Sequence, residues 1–170
     1  GQSGSSLRLA SSIKIGSNLC QLILKLSNRE KIQISDIHFG GGTPSVIPMD
    51  LFESIMNIFK KYVDNNSLKE VAIEVDPRNG MTEKQLLEYH SLGVKRISLG
   101  IQDFDQNVQK AVNRVNNYEM IDNLLTKKVR DVFSSINFDY IYGLPKQTIN
   151  SVKETRKKIV DLNPDRIHFL

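Results

Sequence analysis

At 170 residues, 39% hydrophobic and 25% charged, the chain has material for one domain with a real core, or most of one. No apolar run approaches the ~20 residues of a membrane span, and no secretory signal pattern is present; the longest run, Leu19 to Leu26, is interrupted by Gln21 and Lys25. A single cysteine, Cys20, excludes an internal disulfide and suggests a reducing compartment, and the net charge of +4 is scattered over small clusters without the interleaved aromatics of a nucleic-acid groove.

In chain order, Gly1 to Ser6 reads as a vector remnant, a linker or the stub of a longer chain, and residues 1–11 are set apart from the fold. The spacing of Ile13, Ile15, Leu19, Leu22 and Ile23 predicts a helix over Ser12 to Leu26, with Cys20 on its apolar face. Ile34 to Phe39 alternates as a strand and runs into Gly40-Gly41-Gly42-Thr43-Pro44. A helix is expected from Met49 to Val63, a strand over Glu70 to Val75, and a helix capped by Thr82 and ended near Leu92-Gly93. Lys95 to Leu99 reads as a strand stopped by Gly100. Asp103 or Asp105 can cap a short helix through Val112, and Tyr118 to Arg130 reads as one further helix. Ser135 to Ile141 is a strand, Ser151 to Leu162 a helix broken at Asn163-Pro164, and Arg166 to Leu170 opens a last strand. Regular strand–helix alternation implies parallel strands joined by right-handed crossovers.

Three glycines at a strand exit allow bare backbone to approach a ligand. Gly40-Gly41-Gly42 lacks the G-x-G-x-x-G spacing of dinucleotide sites, and no Gly-Lys-Ser/Thr follows as in a P-loop. Polar residues recur instead after each strand in turn, where barrel enzymes build their sites. The segments are Phe39 to Ser45, Ile73-Glu74-Val75-Asp76-Pro77-Arg78, Ser98-Leu99-Gly100-Ile101-Gln102-Asp103-Phe104, Asn113-Arg114, and Asn137 to Thr148, followed by Leu162-Asn163-Pro164-Asp165-Arg166.

In this order and spacing, from about Ile34 to Leu170, the set closely resembles the oxygen-independent coproporphyrinogen III oxidase family. These are radical S-adenosylmethionine enzymes of heme biosynthesis. The resemblance implies an α/β fold, a fragment of a partial (β/α)6 TIM-like barrel over residues 12–170, with the first strand, the cluster loop and the C-terminal domain missing. It implies S-adenosyl-L-methionine and a 4Fe–4S cluster as cofactors, a porphyrinogen substrate, an electron donor protein or reductant, and a cytoplasmic setting. The family binds its cluster through C-x3-C-x2-C, and one cysteine cannot supply three thiolates. The cluster is therefore expected only in a longer parent protein, with this segment inactive by itself. In such enzymes the cleaved cofactor yields a radical that takes hydrogen from propionate side chains, and decarboxylation leaves vinyl groups.

Carried over residue by residue, Gly41, Gly42, Thr43 and Glu74 look like the edge that receives the methionyl amino end. Backbone carbonyls and a carboxylate suit an ammonium group. Gln102 and Asp139 look like ribose ligands, and Arg114 like the two-pronged partner of the methionyl carboxylate. Family members can hold a second S-adenosylmethionine, so Gly42 and Thr43 are candidates for either molecule.

Plainer readings stand beside these. Glu74 could pair with Arg78 or Lys95, Arg114 could cap the preceding helix or make a surface pair, and Gln102 could satisfy loop backbone. Asp139 interrupts an apolar strand, where burial without function is unfavourable. His38 is read as a satisfied structural histidine, Tyr140 and Tyr142 as packing residues, and Asp76-Pro77 as a strand terminator. At the level of the whole protein, a heme-binding chaperone of the same radical enzyme family is the alternative. Glu74-Val75-Asp76-Pro77-Arg78, Gln102-Asp103-Phe104 and Val112-Asn113-Arg114 favour the oxidase. A third class, a barrel that binds a nucleotide or phosphate without radical chemistry, is disfavoured by the strand-end carboxylates.

Overall fold

The computed structural model describes Asn18, Gln21 and residues 31–170. Apart from those first two residues, the helix expected over Ser12 to Leu26 lies outside the described residues, as does Cys20. The chain divides into two units, Gly1–Ser35 with Pro48–Lys69, and Asp36–Ile47 with Glu70–Leu170.

The first unit holds helix α1, Met49–Tyr62, with Asp50 in its first turn and Lys60 and Lys61 in its last. Each charge lies at the helix end whose partial charge it opposes. Phe52 and Met56, four residues apart on one face, are buried. After the helix, Asp64 accepts from the Asn66 N–H at 3.0 Å and closes a tight turn. Val63 forms a lone parallel bridge with Ile32. Ile34 does not enter a strand ladder as expected, because a side chain holds it instead: its N–H donates to Ser67 Oγ at 3.1 Å.

The second unit is built on five strands: β1, Asp36–Phe39; β2, Glu70–Val75; β3, Arg96–Gln102; β4, Ser135–Tyr140; and β5, Arg166–Phe169. They lie side by side in sequence order, every pair parallel. A doubly wound sheet reverses its strand order at a switch point, and this one does not. Right-handed crossovers in constant order put the connecting helices on one face, the winding of a barrel. Consistent with that, α2 (Glu83–Ser91) packs against α5 (Lys127–Val132), and the His90 ring meets the Phe133 ring edge-on at 5.6 Å.

Register assigns the faces. His38 pairs with Ala72, Glu74 with Ser98, Ser98 with Asn137, Gly100 with Asp139, and Asp139 with His168, so these residues share one face. The opposite face carries Ile73, Ile97, Leu99, Ile136 and Phe138, all buried. Covered parallel sheets are usually apolar on both sides. Here one side is polar, and only its partners explain it: Arg96 donates to Glu70 at 2.8 Å, and Ser135 Oγ donates to Asn137 Oδ1 at 2.8 Å.

Local signals account for most element ends. Thr82 and Gln85 form a reciprocal capping box on α2, and Thr148 with Ser151 does the same for α6, Ile149–Asp161. Asp105, not Asp103, caps α3, Gln106–Ala111. The helix expected over Tyr118 to Arg130 is two: α4, Tyr118–Leu124, and α5. Leu125 leaves helical geometry at φ −88° and ψ 54°, and the Thr126 hydroxyl accepts from the Val129 N–H to start the second. β3 does not stop at Gly100 but continues through a bulge to Gln102, whose φ is +62°. Tyr142 is 70% exposed, so it does not pack as expected, because it lies past the end of β4.

Asp103, fully buried, braces the C-terminal ends of the strands. Its Oδ1 accepts from Thr155 Oγ1 at 2.6 Å and from the Asp105 N–H at 2.7 Å, and its Oδ2 accepts from Gln147 Nε2 at 2.6 Å. Thr155 also accepts from the Phe104 N–H at 3.1 Å. Thr155→Val keeps the shape and removes both bonds. It is expected to destabilise the fold by about 2–3 kcal/mol, read as a lower urea midpoint at unchanged slope.

Candidate functional site

The turn after β1 is shaped by φ angles of +81° at Gly41 and +65° at Gly42. A Cβ at either would meet nothing within 4 Å, so these two are glycine for backbone conformation and leave open space beside them. Gly40 is glycine for a different reason. A Cβ there would lie 2.8 Å from Glu74 Oε1 and from the His38 ring. The missing side chain makes room for a pair: His38 Nε2 lies 3.2 Å from Glu74 Oε1, and the Gly41 N–H donates to Glu74 Oε2 at 3.3 Å.

On β3 the bulge turns Gln102 back over Gly100, where a Cβ would come within 2.6 Å of Gln102 Nε2. Gln102 is buried, and its Oε1 has no hydrogen-bond partner among the described residues. Asp139, at the end of β4, has a side chain only 20% exposed and lies 3.1 Å from His168 Nδ1. Burial pushes its carboxyl above the usual carboxylate range, against the bond from His168.

Arg114 does not stand at a strand end as expected. It follows α3, which closes at Asn113 in the left-handed region with φ +53°. The Arg114 N–H donates to the Gln109 carbonyl at 2.9 Å. Buried Gln109 in turn donates through Nε2 to the carbonyls of Asp103, at 2.7 Å, and Asn116. Asn116 donates to the Gly100 carbonyl at 2.9 Å, which ties this loop to β3. The Arg114 guanidinium makes no hydrogen bond or ion pair among the described residues. Arg78 instead takes Asp76, with Nη2 to Oδ2 at 2.5 Å, and holds that carboxyl below its ordinary value.

These pieces meet around one cavity of about 140 Å³, walled by Gly42, Thr43, Glu74, Asp76, Ser98, Gly100, Gln102, Arg114 and Asp139. Six of the seven residues singled out from sequence are in that wall, and Gly41 reaches it through its bond to Glu74. Of the plainer pairings, Glu74 meets His38 while Arg78 takes Asp76, and the Arg114 side chain makes no ion pair among the described residues. Sequence reading missed Ser98 and His168 and took Asp76 only as a strand terminator. The available signal was alternation, since Ser98 lies two residues before Gly100 and His168 two after Arg166 on the same strand face. A larger groove of about 960 Å³ runs along the start of α6 and the Tyr142–Gln147 loop, and holds none of the seven.

The radical SAM superfamily family model matches residues 21–159. The chain belongs to the radical SAM superfamily. It is 40% identical over 135 residues to the oxygen-independent coproporphyrinogen III oxidase of Escherichia coli (strain K12), covering 79% of this chain and 29% of that protein. It is 38% identical over 143 residues to the namesake from Helicobacter pylori (strain ATCC 700392 / 26695), covering 83% and 30%. The solved structure of coproporphyrinogen III oxidase (HemN) from Escherichia coli, described as a radical SAM enzyme, superposes with a TM-score of 0.74 at 39% identity over 80% of this chain and 31% of that one. The archaeal Elp3 of Methanocaldococcus infernus, at 19% identity and a TM-score of 0.63, shares the fold. The chain thus spans under a third of the length of the oxidases it matches. The α/β fold expected from the resemblance, a TIM-like parallel sheet, is the one observed. Among the described residues no helix is long and apolar enough to cross a membrane.

The two kinds of glycine separate by experiment. Gly41→Ala is expected to destabilise the fold by about 1–2 kcal/mol through its φ alone. Gly40→Ala is expected to leave stability within about 1 kcal/mol but to part His38 from Glu74. Urea unfolding reads the first, and the chemical shifts of the His38 ring in NMR spectra read the second.

Proposed function

We propose that the cavity binds S-adenosylmethionine, in a longer protein that converts coproporphyrinogen III to protoporphyrinogen IX by oxygen-independent oxidative decarboxylation in heme biosynthesis. One observation carries the reading. Among the described residues, a buried acceptor without a partner, Gln102 Oε1, and a guanidinium without a hydrogen bond, Arg114, share a wall with the three carboxylates Glu74, Asp76 and Asp139 and an open glycine turn. Natural folds rarely leave a buried polar atom unsatisfied without a ligand or water to take it.

The donor set fits the cofactor's groups. Glu74 and the backbone from Gly41 to Thr43 suit its ammonium. Gln102 and Asp139 can accept from adjacent ribose hydroxyls, and Arg114 can bind its carboxylate in two-pronged fashion. At about 140 Å³ the cavity encloses only part of such a ligand. When bound, S-adenosylmethionine supplies the radical that takes hydrogen from a propionate side chain. The chain's own residues hold and orient it. A lone cysteine does not fit a 4Fe–4S cluster, so the cluster belongs to the longer protein and no step is derived through it.

The same reading assigns residues 12–170 to part of a barrel domain, with residues 1–11 outside it. It places the protein in the cytoplasm, with a reductant as partner and no nucleic acid. Support for the oxidase over a heme chaperone comes from the names of the relatives, which match across about four fifths of this chain.

In the full-length protein, Arg114→Ala is expected to weaken S-adenosylmethionine binding about 10- to 150-fold, the loss of a charge-assisted contact, with the cluster absorbance intact. Calorimetric titration checks it, and unchanged affinity removes Arg114 from the site. Anaerobic decarboxylation of the porphyrinogen, set against tight heme binding without turnover, decides between oxidase and chaperone.

A further inference from the structure

Two histidines stand on the polar face of the sheet, each against a carboxylate of the neighbouring strand. His38 on β1 meets Glu74 on β2, and His168 on β5 meets Asp139 on β4. The second pair concerns a residue that no part of the site reading uses. We infer that His168 is a positioning residue, which donates from Nδ1 to Asp139 Oδ1 and thereby fixes the carboxylate so that its remaining lone pairs accept from a ligand's sugar hydroxyl. The inference rests on the reading of the cavity as a nucleoside site.

The geometry supports it in three ways. Asp139 and His168 are register partners on adjacent strands, so the backbone ladder places the ring against the carboxyl. The contact is 3.1 Å, and an ionised carboxylate can only accept, so the facing Nδ1 carries the proton. The two side chains differ in exposure, 48% for His168 and 20% for Asp139, so the ring approaches from the solvent side while the carboxyl reaches the cavity wall.

Electrostatics gives the contact its task. Asp139 sits in partial burial with Glu74 acting on it from β2, and both disfavour its charge. The opposing groups are His168 by its hydrogen bond and His38 from β1. Asp76 and Arg114 complete the charged groups in the wall. A protonated carboxyl loses acceptor capacity that a sugar hydroxyl needs. Deleting the His168 bond raises the folded pKa of Asp139 further, so ligand affinity is lost at a higher pH as the solution is acidified. With its ring half exposed, His168 adds little to stability through this contact, which keeps the ligand readout separate from unfolding.

The test measures the affinity of the full-length protein for adenosine across pH 5 to 8 (the probe tests the sugar contact without the cluster). Wild type is compared with His168→Ala and His168→Asn, whose amide restores an N–H donor at a similar reach. The affinity gap between His168→Ala and wild type is expected to widen as pH falls, and His168→Asn to close most of it. In ligand-free protein the Asp139 carboxyl 13C signal is expected to titrate at a higher pH in His168→Ala. Superimposable profiles for all three proteins, with adenosine bound, would overturn the role of His168 and leave the reading of the cavity standing. No adenosine binding by wild type at any pH would overturn that reading, and this inference with it.

Discussion

Everything at the site depends on the hydrogen-bonded register of five parallel strands. Because side chains alternate strictly along each strand, one residue of slip would send Glu74, Ser98 or Asp139 to the apolar face. The ladder prevents this by burying Ile73, Ile97, Leu99, Ile136 and Phe138 on the other side. Slipping β4 alone would place Ile136 and Phe138 on the polar face and bury Asn137 and Asp139 among hydrocarbon. The hydrophobic effect acting on one face therefore positions polar groups on the other. Function on the polar side needs no rigidity of its own, because it inherits that of the core.

That polar side is costly, and the way it is satisfied distinguishes scaffold from site. Glu70 has Arg96, and Ser135 has Asn137. Nearer the C-terminal ends the accounting changes. Among the described residues, Gln102 Oε1 and Asn137 Nδ2 are each buried without a partner. The first opens on the cavity. The second lies two residues before Asp139 on the same strand face, and a bound water is the ordinary partner for such a donor. The bulge at Gly100–Gln102 interrupts an otherwise regular ladder to bring one amide to the wall, a departure that proteins keep where a side chain must be re-aimed.

The strand–helix order and most element ends were legible in the sequence because they rest on local chemistry. Thr82, Asp105 and Gly93 act within one turn of where they stand. The failures are of two kinds. Thr126 is a cap inside an unbroken helical period, so two helices read as one. Gly100 looks like a terminator until Gln102 is seen to fold over it, which only the structure shows. The grouping of Glu74, Gln102, Arg114 and Asp139 was legible through an ordered set of motifs. That Arg114 follows a short helix was legible too, but what ties its loop to β3 was not, because it depends on buried Gln109 joining the carbonyls of Asp103 and Asn116. His168 was overlooked for a related reason. Its meaning lies in a register partner 29 residues earlier, and a single strand does not reveal its neighbour.

The carboxylates of this region differ most in what holds them. Asp103 is sealed by a hydroxyl, a backbone N–H and an amide, with no solvent contact, and its work is to tie β3 to α6. Asp76 is held by Arg78 through two side-chain bonds, a match that a ligand could not easily displace. Glu74 and Asp139 are held by histidines at 3.2 and 3.1 Å, each ring about half exposed. An imidazole is a weaker and more replaceable partner than a guanidinium, and its charge is not permanent. A ligand's ammonium can compete with His38 at Glu74, and its hydroxyl can use the lone pairs that His168 leaves free on Asp139, while Asp76 and Asp103 stay undisturbed. Strong partners build the wall, and yielding partners mark where it is meant to be touched.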